Sequence, residues 1–315
     1  MYKTSKSTKQ KGAAIMSKLK TFISLLKTPN KMVRALGGNR LLNWMSDETY
    51  VKCMFKSVFG YDLDLEHPKT FNEKLQWLKL YNRKPEYTMM VDKYRVRDYI
   101  REKIGEEYLI PLLGVWDRVE DIDFDALPDQ FVLKCNHDQG SVVICKDKKT
   151  FDVDKAKKKL ARKLRKDQYW PTREWPYKNV PRKIICEKYM EDSSTAELLD
   201  YKFFCFDGLV KCLYVSDSIH HKIQFYDENY NTLDLERYDY TKFEVLPRKP
   251  INFDQMKAFA ARLSKDIQHV RVDFYEVNGH VYFGEMTFYT CSGFIPFKEA
   301  KWDKLLSSWL KLTKG

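Results

Sequence analysis

Apolar and polar positions alternate most regularly towards the C-terminal end of the chain, where Val270–Tyr275 and His280–Thr287 both read as strands. Between them Asn278-Gly279 is a strong hairpin signal. Strand texture of another kind marks FVLKC (131–135), a continuous apolar run that reads as a buried strand, and VVIC (142–145), across the polar loop NHDQGS (136–141). It returns in KIICEKYM (183–190) and in DYKFFCFDG (200–208), which turns through Asp207-Gly208 into LVKCLYVSD (209–217). Helical spacing of apolar residues appears instead in Leu41–Phe59, Phe71–Tyr81, Asp92–Lys103, Asp152–Arg165, Phe253–Lys265 and Trp302–Leu312. Tyr169–Lys178 is an aromatic, proline-rich loop. Helices dominate the first third and strands take over from about residue 108, so the class is α+β.

Composition sharpens this picture. At 43% hydrophobic and 15% aromatic, the 315 residues suffice for a globular core. The seven cysteines include no CxxC and mostly sit in apolar strand-like runs, which predicts reduced core thiols and no zinc site. The net charge of +12 is concentrated: residues 1–46 hold ten Lys/Arg and no Asp/Glu, leaving +2 for the other 269. A nearly neutral body argues against nucleic acid as a partner. No apolar run is long enough to span a bilayer. Ile15–Leu26 is amphipathic and basic, and suits either an anionic leaflet or a solvated arm.

The candidate chemistry lies in the last hairpin. A two-residue turn at Asn278-Gly279 pairs 273 with 284 and puts Asp273 and Glu285 on opposite faces. A three-residue loop, Val277-Asn278-Gly279 with Gly279 left-handed, pairs 273 with 283 and 271 with 285. In that register Arg271, Asp273, Glu285 and Thr287 share one side, while Val272, Phe274, Tyr282 and Met286 take the other. Two acids and a hydroxyl on one face suit a hard cation such as Mg²⁺. The same residues also suit a half-buried hairpin with a solvated polar face and an ordinary Arg271–Glu285 pair. The loop 136–141, with Gly140 and with Lys134 at its root, can wrap backbone N–H groups around phosphates or serve as a plain hairpin turn. Asp200 and Lys202 share a face by period two.

The order of these features resembles the ATP-grasp superfamily from about Asp92 to Gly293, with two α/β lobes whose antiparallel sheets clasp ATP. From about residue 45 the chain also resembles its TupA-like (teichuronopeptide-biosynthesis) branch. The segments that carry this are 70–83, 92–100, 108–117, 131–148, 173–179, 200–208 and 271–289. The implied organisation is a basic arm (1–40), a helical module (41–107), a lobe with the phosphate-binding hairpin (108–190) and a lobe with the carboxylate hairpin (191–315). The resemblance implies that Lys134 reaches the ATP phosphates while Asn136, His137, Gly140 and Ser141 close over them. It implies that Glu187 and the backbone of Lys188, Tyr189 and Met190 read adenine, that Asp200 holds the ribose, and that Lys202 holds a phosphate. Asp273 and Glu285 would bridge Mg²⁺ to the phosphates, with Arg271 beside the transferring group. Lys93 aligns more loosely with a lysine that opens many such domains. Thr287 stands where the superfamily places asparagine, a better metal ligand than a hydroxyl.

The implied activity is ATP-dependent carboxylate–amine ligation through an acyl phosphate. The implied acceptor is a uronic-acid carboxyl of a capsular, wall or lipopolysaccharide glycan or its lipid-linked precursor, and the amine is an amino acid or amino sugar. The expected location is the cytoplasm, peripheral to the inner membrane face through the arm. Two alternatives stay open. One is a polysaccharide glycosyltransferase using a DxD motif, for which Asp62-Leu63-Asp64, Asp121-Ile122-Asp123 and Asp123-Phe124-Asp125 have the letters. The other is a membrane-surface adaptor that has lost catalysis. His220-His221-Lys222 is a further, low-ranked contact.

Overall fold

The computed structural model describes residues 29–193, 198–217 and 219–313. The amphipathic stretch Ile15–Leu26 lies outside the described residues. Among those described, no helix is long and apolar enough to cross a membrane.

Among the described residues, 29–63 together with Trp170–Arg173 form one compact unit. It contains helices α1 (Pro29–Gly38) and α2 (Asp47–Phe59). The Ser46 side chain accepts from the Thr49 amide at the start of α2, and Gly60 ends it at φ 79°, so the expected helix from Leu41 begins later. The fully buried Arg173 guanidinium stacks over Tyr50 and Trp170, with ring centroids at 4.4 and 4.5 Å.

All the remaining residues form the second unit. Helix α3 (Phe71–Tyr81) opens with a reciprocal capping box between Thr70 and Glu73. An unexpected short helix, α4 (Glu86–Val91), comes next, and the helix expected from Asp92 begins four residues later, as α5 (Val96–Lys103). The Asp92 carboxylate accepts from the amides of Tyr94 and Arg95, which makes that residue a turn. A four-stranded antiparallel sheet follows, from β1 (Leu112–Trp116), β2 (Phe131–Cys135), β3 (Val143–Cys145) and β4 (Ile184–Lys188) in the order β1-β4-β2-β3. Helix α6 (Val153–Leu164) lies between β3 and β4 in sequence, and its Leu160 joins Phe131, Leu133, Ile184 and Cys186 in a small core.

A six-stranded antiparallel sheet completes the unit. Its strands are β5 (Asp200–Phe206), β6 (Leu209–Asp217), β7 (Lys222–Asp227), β8 (Thr232–Leu233), β9 (Val270–Val277) and β10 (His280–Thr287), in the order β10-β9-β5-β6-β7-β8. Helix α7 (Phe253–Leu263) precedes β9, and α8 (Ala300–Trp309) is last. The larger core gathers Phe203, Val272 and Phe274 of this sheet with Phe253, Met256 and Ala260 of α7. Helix α3 enters the same core, its Phe71 ring meeting Phe204 at 6.4 Å and Phe206 at 6.2 Å. Helices α3, α4 and α5 therefore share a core with the six-stranded sheet, because the apolar stripe of α3 finds its cover there. Five cysteines are buried and all seven are free thiols.

His269 sits among Phe71, Phe204 and Phe206. Its Nδ1 lies 2.9 Å from the Cys205 carbonyl, which can only accept, so Nδ1 carries the proton and buried Nε2 has no partner. Burial pushes this imidazole down to about 3. The unfolded chain binds the proton first, so stability is lost as pH falls from about 6.5 towards 3, with a slope of up to about 1.4 kcal/mol per pH unit. Urea unfolding at a series of pH values should show this slope in the wild type and a flatter one in His269→Phe; equal slopes would refute it.

Candidate active site

The hairpin β9–β10 departs from the expected loop. Asn278 and Gly279 have φ of 51° and 75°, and Val277 pairs directly with His280, which is a two-residue turn. Continued regularly, that register would separate the two acids. Instead Gly284 is an extra residue: Phe283 pairs with Phe274, and then Glu285 pairs with Asp273 and Thr287 with Arg271. The three-residue register is corrected, and the shared face comes from a β-bulge. A Cβ at Gly284 would lie 3.1 Å from both the Asp273 carbonyl oxygen and the Tyr275 ring, which favours glycine there. The bulge also exchanges two aromatic positions. Tyr282 faces the polar side opposite Tyr275, and Phe283 takes the apolar side with its ring 6.3 Å from Phe274.

On the polar face, Arg271 grips Asp273 through Nε and Nη2, both at 2.7 Å. Nη2 also donates to Glu285 at 3.1 Å and to the Thr287 hydroxyl at 3.0 Å, while Nη1 donates to the Tyr214 hydroxyl at 2.9 Å. Lys202, paired with Asp273 across β5 and β9, places Nζ 2.8 Å from Asp273 and 3.1 Å from Asp200. Lys93 lies 3.5 Å from Glu285. Three carboxylates and three cations thus interleave, with Asp273 only 1% exposed. Burial opposes charge on Glu285, but Lys93, Arg271 and Lys202 outweigh it and hold the carboxyl at about 2. Burial likewise lowers the Lys202 ammonium, and Asp200 with Asp273 more than reverse this, so it titrates well above the usual lysine.

The donor types, two carboxylates and a hydroxyl, suit a hard cation. Asp273 and Glu285 accept from the same Nη2, so their oxygens converge on the Arg271 guanidinium, with the Thr287 hydroxyl 3.2 Å from Glu285. No group of three or more His, Cys, Asp or Glu that could hold a metal occurs among the described residues. Mg²⁺ commonly needs only one or two carboxylates beside substrate phosphates.

A cleft of about 250 Å³ lies alongside, lined by Lys134, Glu187, Lys188, Tyr189, Met190 and Tyr275 among others. Lys134 Nζ is 2.6 Å from Glu187. Ile110, Val132, Ile144 and Leu198 add apolar walls. Tyr275 joins the cleft to the carboxylate face, since Asp200 is the main influence that raises its phenol well above the usual value.

Residues 73–311 match the family described as TupA-like ATPgrasp. The chain belongs to the TupA-like ATP-grasp family. No curated protein sequence matches it. Among solved structures, D-alanine–D-alanine ligase from Helicobacter pylori is similar at 14% identity and a TM-score of 0.43, over 76% of this chain and 69% of that one. L-amino acid ligase from Bacillus licheniformis gives 14% and 0.43 over 79% and 57%. D-alanine–D-alanine ligase from Bacillus anthracis gives 18% and 0.36 over 64% of this chain, which spans 57% of that protein's length. These overlays say nothing about this chain's substrate.

Within this TupA-like ATP-grasp protein, the loop 136–141 departs from its expected side-chain contacts. The Asn136 amide donates to Asp92 and Pro181, both at 2.8 Å, and accepts from the Lys183 amide at 2.7 Å. His137 is buried, with Nε2 3.1 Å from the Lys166 carbonyl, and Ser141 Oγ accepts from the Cys135 amide at 2.8 Å. None of the three lines the cleft; they pin the loop to the protein. Gly140 supplies a left-handed bend at φ 79°. Lys93 donates to the Asp138 carbonyl at 3.0 Å, tying this loop to Glu285. The DxD carboxylates serve local turns: Asp64 accepts from the amides of Glu66 and His67, Asp123 from those of Asp125 and Ala126, and Asp121 pairs with Arg118. His220 Nδ1 lies 2.6 Å from Asp217, beside β7.

Two residues escaped the sequence reading. Tyr214 is legible in hindsight, since it lies two positions from Ser216 on β6 and pairs with Lys202. Arg237 sits in an aperiodic stretch that carries no signal, yet it is buried and lies 5.8 Å from the Tyr214 ring and 5.3 Å from Tyr240. Arg271 is the cation on which most of the network converges. Arg271→Lys removes the two-pronged grip on Asp273 and should cost about 3 kcal/mol or more of stability. Urea unfolding tests this; an unchanged midpoint would show that the network is not held through Arg271.

Proposed function

We propose that the protein is an ATP-dependent carboxylate–amine ligase. The supporting observation is that Arg271, Asp273, Glu285, Lys202 and Lys93 converge on one buried face beside a cleft that holds Lys134 and Glu187. In this reading the cleft takes the adenine against its apolar walls. Lys134 and Lys202 then draw the phosphates towards the carboxylate face. Asp273 and Glu285 would hold Mg²⁺, which would neutralise phosphate charge there. The acceptor carboxylate attacks the γ-phosphorus and ADP leaves, forming an acyl phosphate. An amine then attacks the acyl carbon, phosphate departs, and the nitrogen loses a proton. Arg271 stabilises charge on the transferring group, and its fixed bonds mean that little reorganisation is needed.

The acceptor in this proposal is a uronic-acid carboxyl of a surface glycan, and the amine is an amino acid or amino sugar, as the TupA-like membership suggests. The expected location is the inner membrane face. ADP release should require Mg²⁺, an acid and an amine together. Asp273→Asn should lower it by about 10²-fold or more in protein that near-ultraviolet dichroism shows to be still folded, and should also lower the urea midpoint because Arg271 and Lys202 lose their shared carboxylate. Full turnover by this variant, or consumption of nucleotide sugar in place of ATP, would overturn the reading.

A further inference from the structure

A second groove lies outside this machinery. It holds about 500 Å³ between the edge strand β3 and helix α6, and is lined by Val142, Ile144, Lys146, Lys155 and Lys159, with Asp147 and Asp152, among others; the rest of the basic stripe of α6 borders it. The near-neutral body hides a strong local charge. Residues 148–166 contain ten Lys/Arg and two Asp, a net +8, although everything after residue 46 sums to +2. Lys155, Lys158, Arg162 and Arg165 follow helical spacing along one exposed face of α6. None of these four pairs with a carboxylate among the described residues, and Asp152 is used as the helix cap, accepting from the Lys155 amide. Self-repulsion in such a stripe is unfavourable, which leaves it complementary to an anion.

The groove also connects to the chemistry. Val142, Ile144 and Lys146 line both the groove and the nucleotide cleft, so the β2–β3 hairpin is a shared wall. Lys159 donates to the Val142 carbonyl at 2.6 Å, and further along α6 Lys163 donates to the Gln139 carbonyl at 3.2 Å. The helix therefore leads from the groove to the loop that Lys93 ties to Glu285.

We propose that this groove binds an extended anionic carbohydrate, the chain that carries the acceptor carboxyl; the proposal rests on the ligase reading above. Exposed Val142 and Ile144 suit the apolar faces of sugar rings, and the cations suit repeated carboxylates. A bilayer is flat and would meet the ridge of α6 without filling the groove. The Phe151 ring, the aromatic side chain of the groove, is committed to the small core, packed on Phe131 at 5.3 Å and on Phe124 at 6.2 Å.

Fluorescence anisotropy of the full chain with labelled oligogalacturonate, about ten sugars long, tests this. Binding should weaken with salt, and a neutral dextran fragment of equal length should not bind. The exposed-face variant K155E/K158E/R162E should lose at least about tenfold in affinity, with Mg·ATP affinity unchanged. No binding, equal binding by the variant, or a preference for phosphatidylglycerol vesicles or an RNA of equal charge would overturn the proposal. Oligogalacturonate binding without ADP release from any acid and amine would support the groove and remove the ligase reading. ADP release with a monomeric uronic acid, but no oligomer binding, would do the reverse.

Discussion

Charge balance on a buried face governs this molecule. Asp200, Asp273 and Glu285 are removed from most solvent, and each would be strongly destabilising alone. Lys202, Arg271 and Lys93 offset them at hydrogen-bond or ion-pair distance, so the set survives as a unit. The same balance keeps Glu285 ionised and turns Asp273 and Glu285 towards one guanidinium. Folding and candidate function therefore rest on one network.

The fold supports that network from beneath. Val272, Phe274, Phe283 and Met286 bury the other side of the hairpin, and α7 covers the neighbouring strands. A flat hairpin could not deliver both arrangements, because side chains alternate strictly unless a residue is inserted. Gly284 is that residue. Its lack of a Cβ lets the strand approach Asp273 and Tyr275 closely, and one step of register separates a shared face from two opposed ones.

Regular elements were the legible part. A continuous apolar run located β2, the runs either side of Asp207-Gly208 located β5 and β6, and strand patterning around Asn278-Gly279 located β9 and β10, while the apolar spacing of Phe71–Tyr81 located α3 to the residue. Free core cysteines followed from their apolar neighbours. The carboxylates were legible as candidates because two acids stood in paired strands, with an arginine two residues before the first. The loop 136–141 was half legible: its bend at Gly140 was visible, but nothing local shows that Asn136 is consumed by Asp92 and Pro181.

The sequence alone determined that the last hairpin turns at Asn278-Gly279, because adjacent positive φ angles are inexpensive for asparagine and glycine. It also determined the strands that carry Lys202, Arg271, Asp273 and Glu285, since alternation is a local property. Only tertiary structure decided that these side chains meet. A bulge is defined against a partner strand, and Lys93 reaches Glu285 from far along the chain. Contacts between distant residues leave no local pattern, and so Arg237, buried beside Tyr214, had none to read.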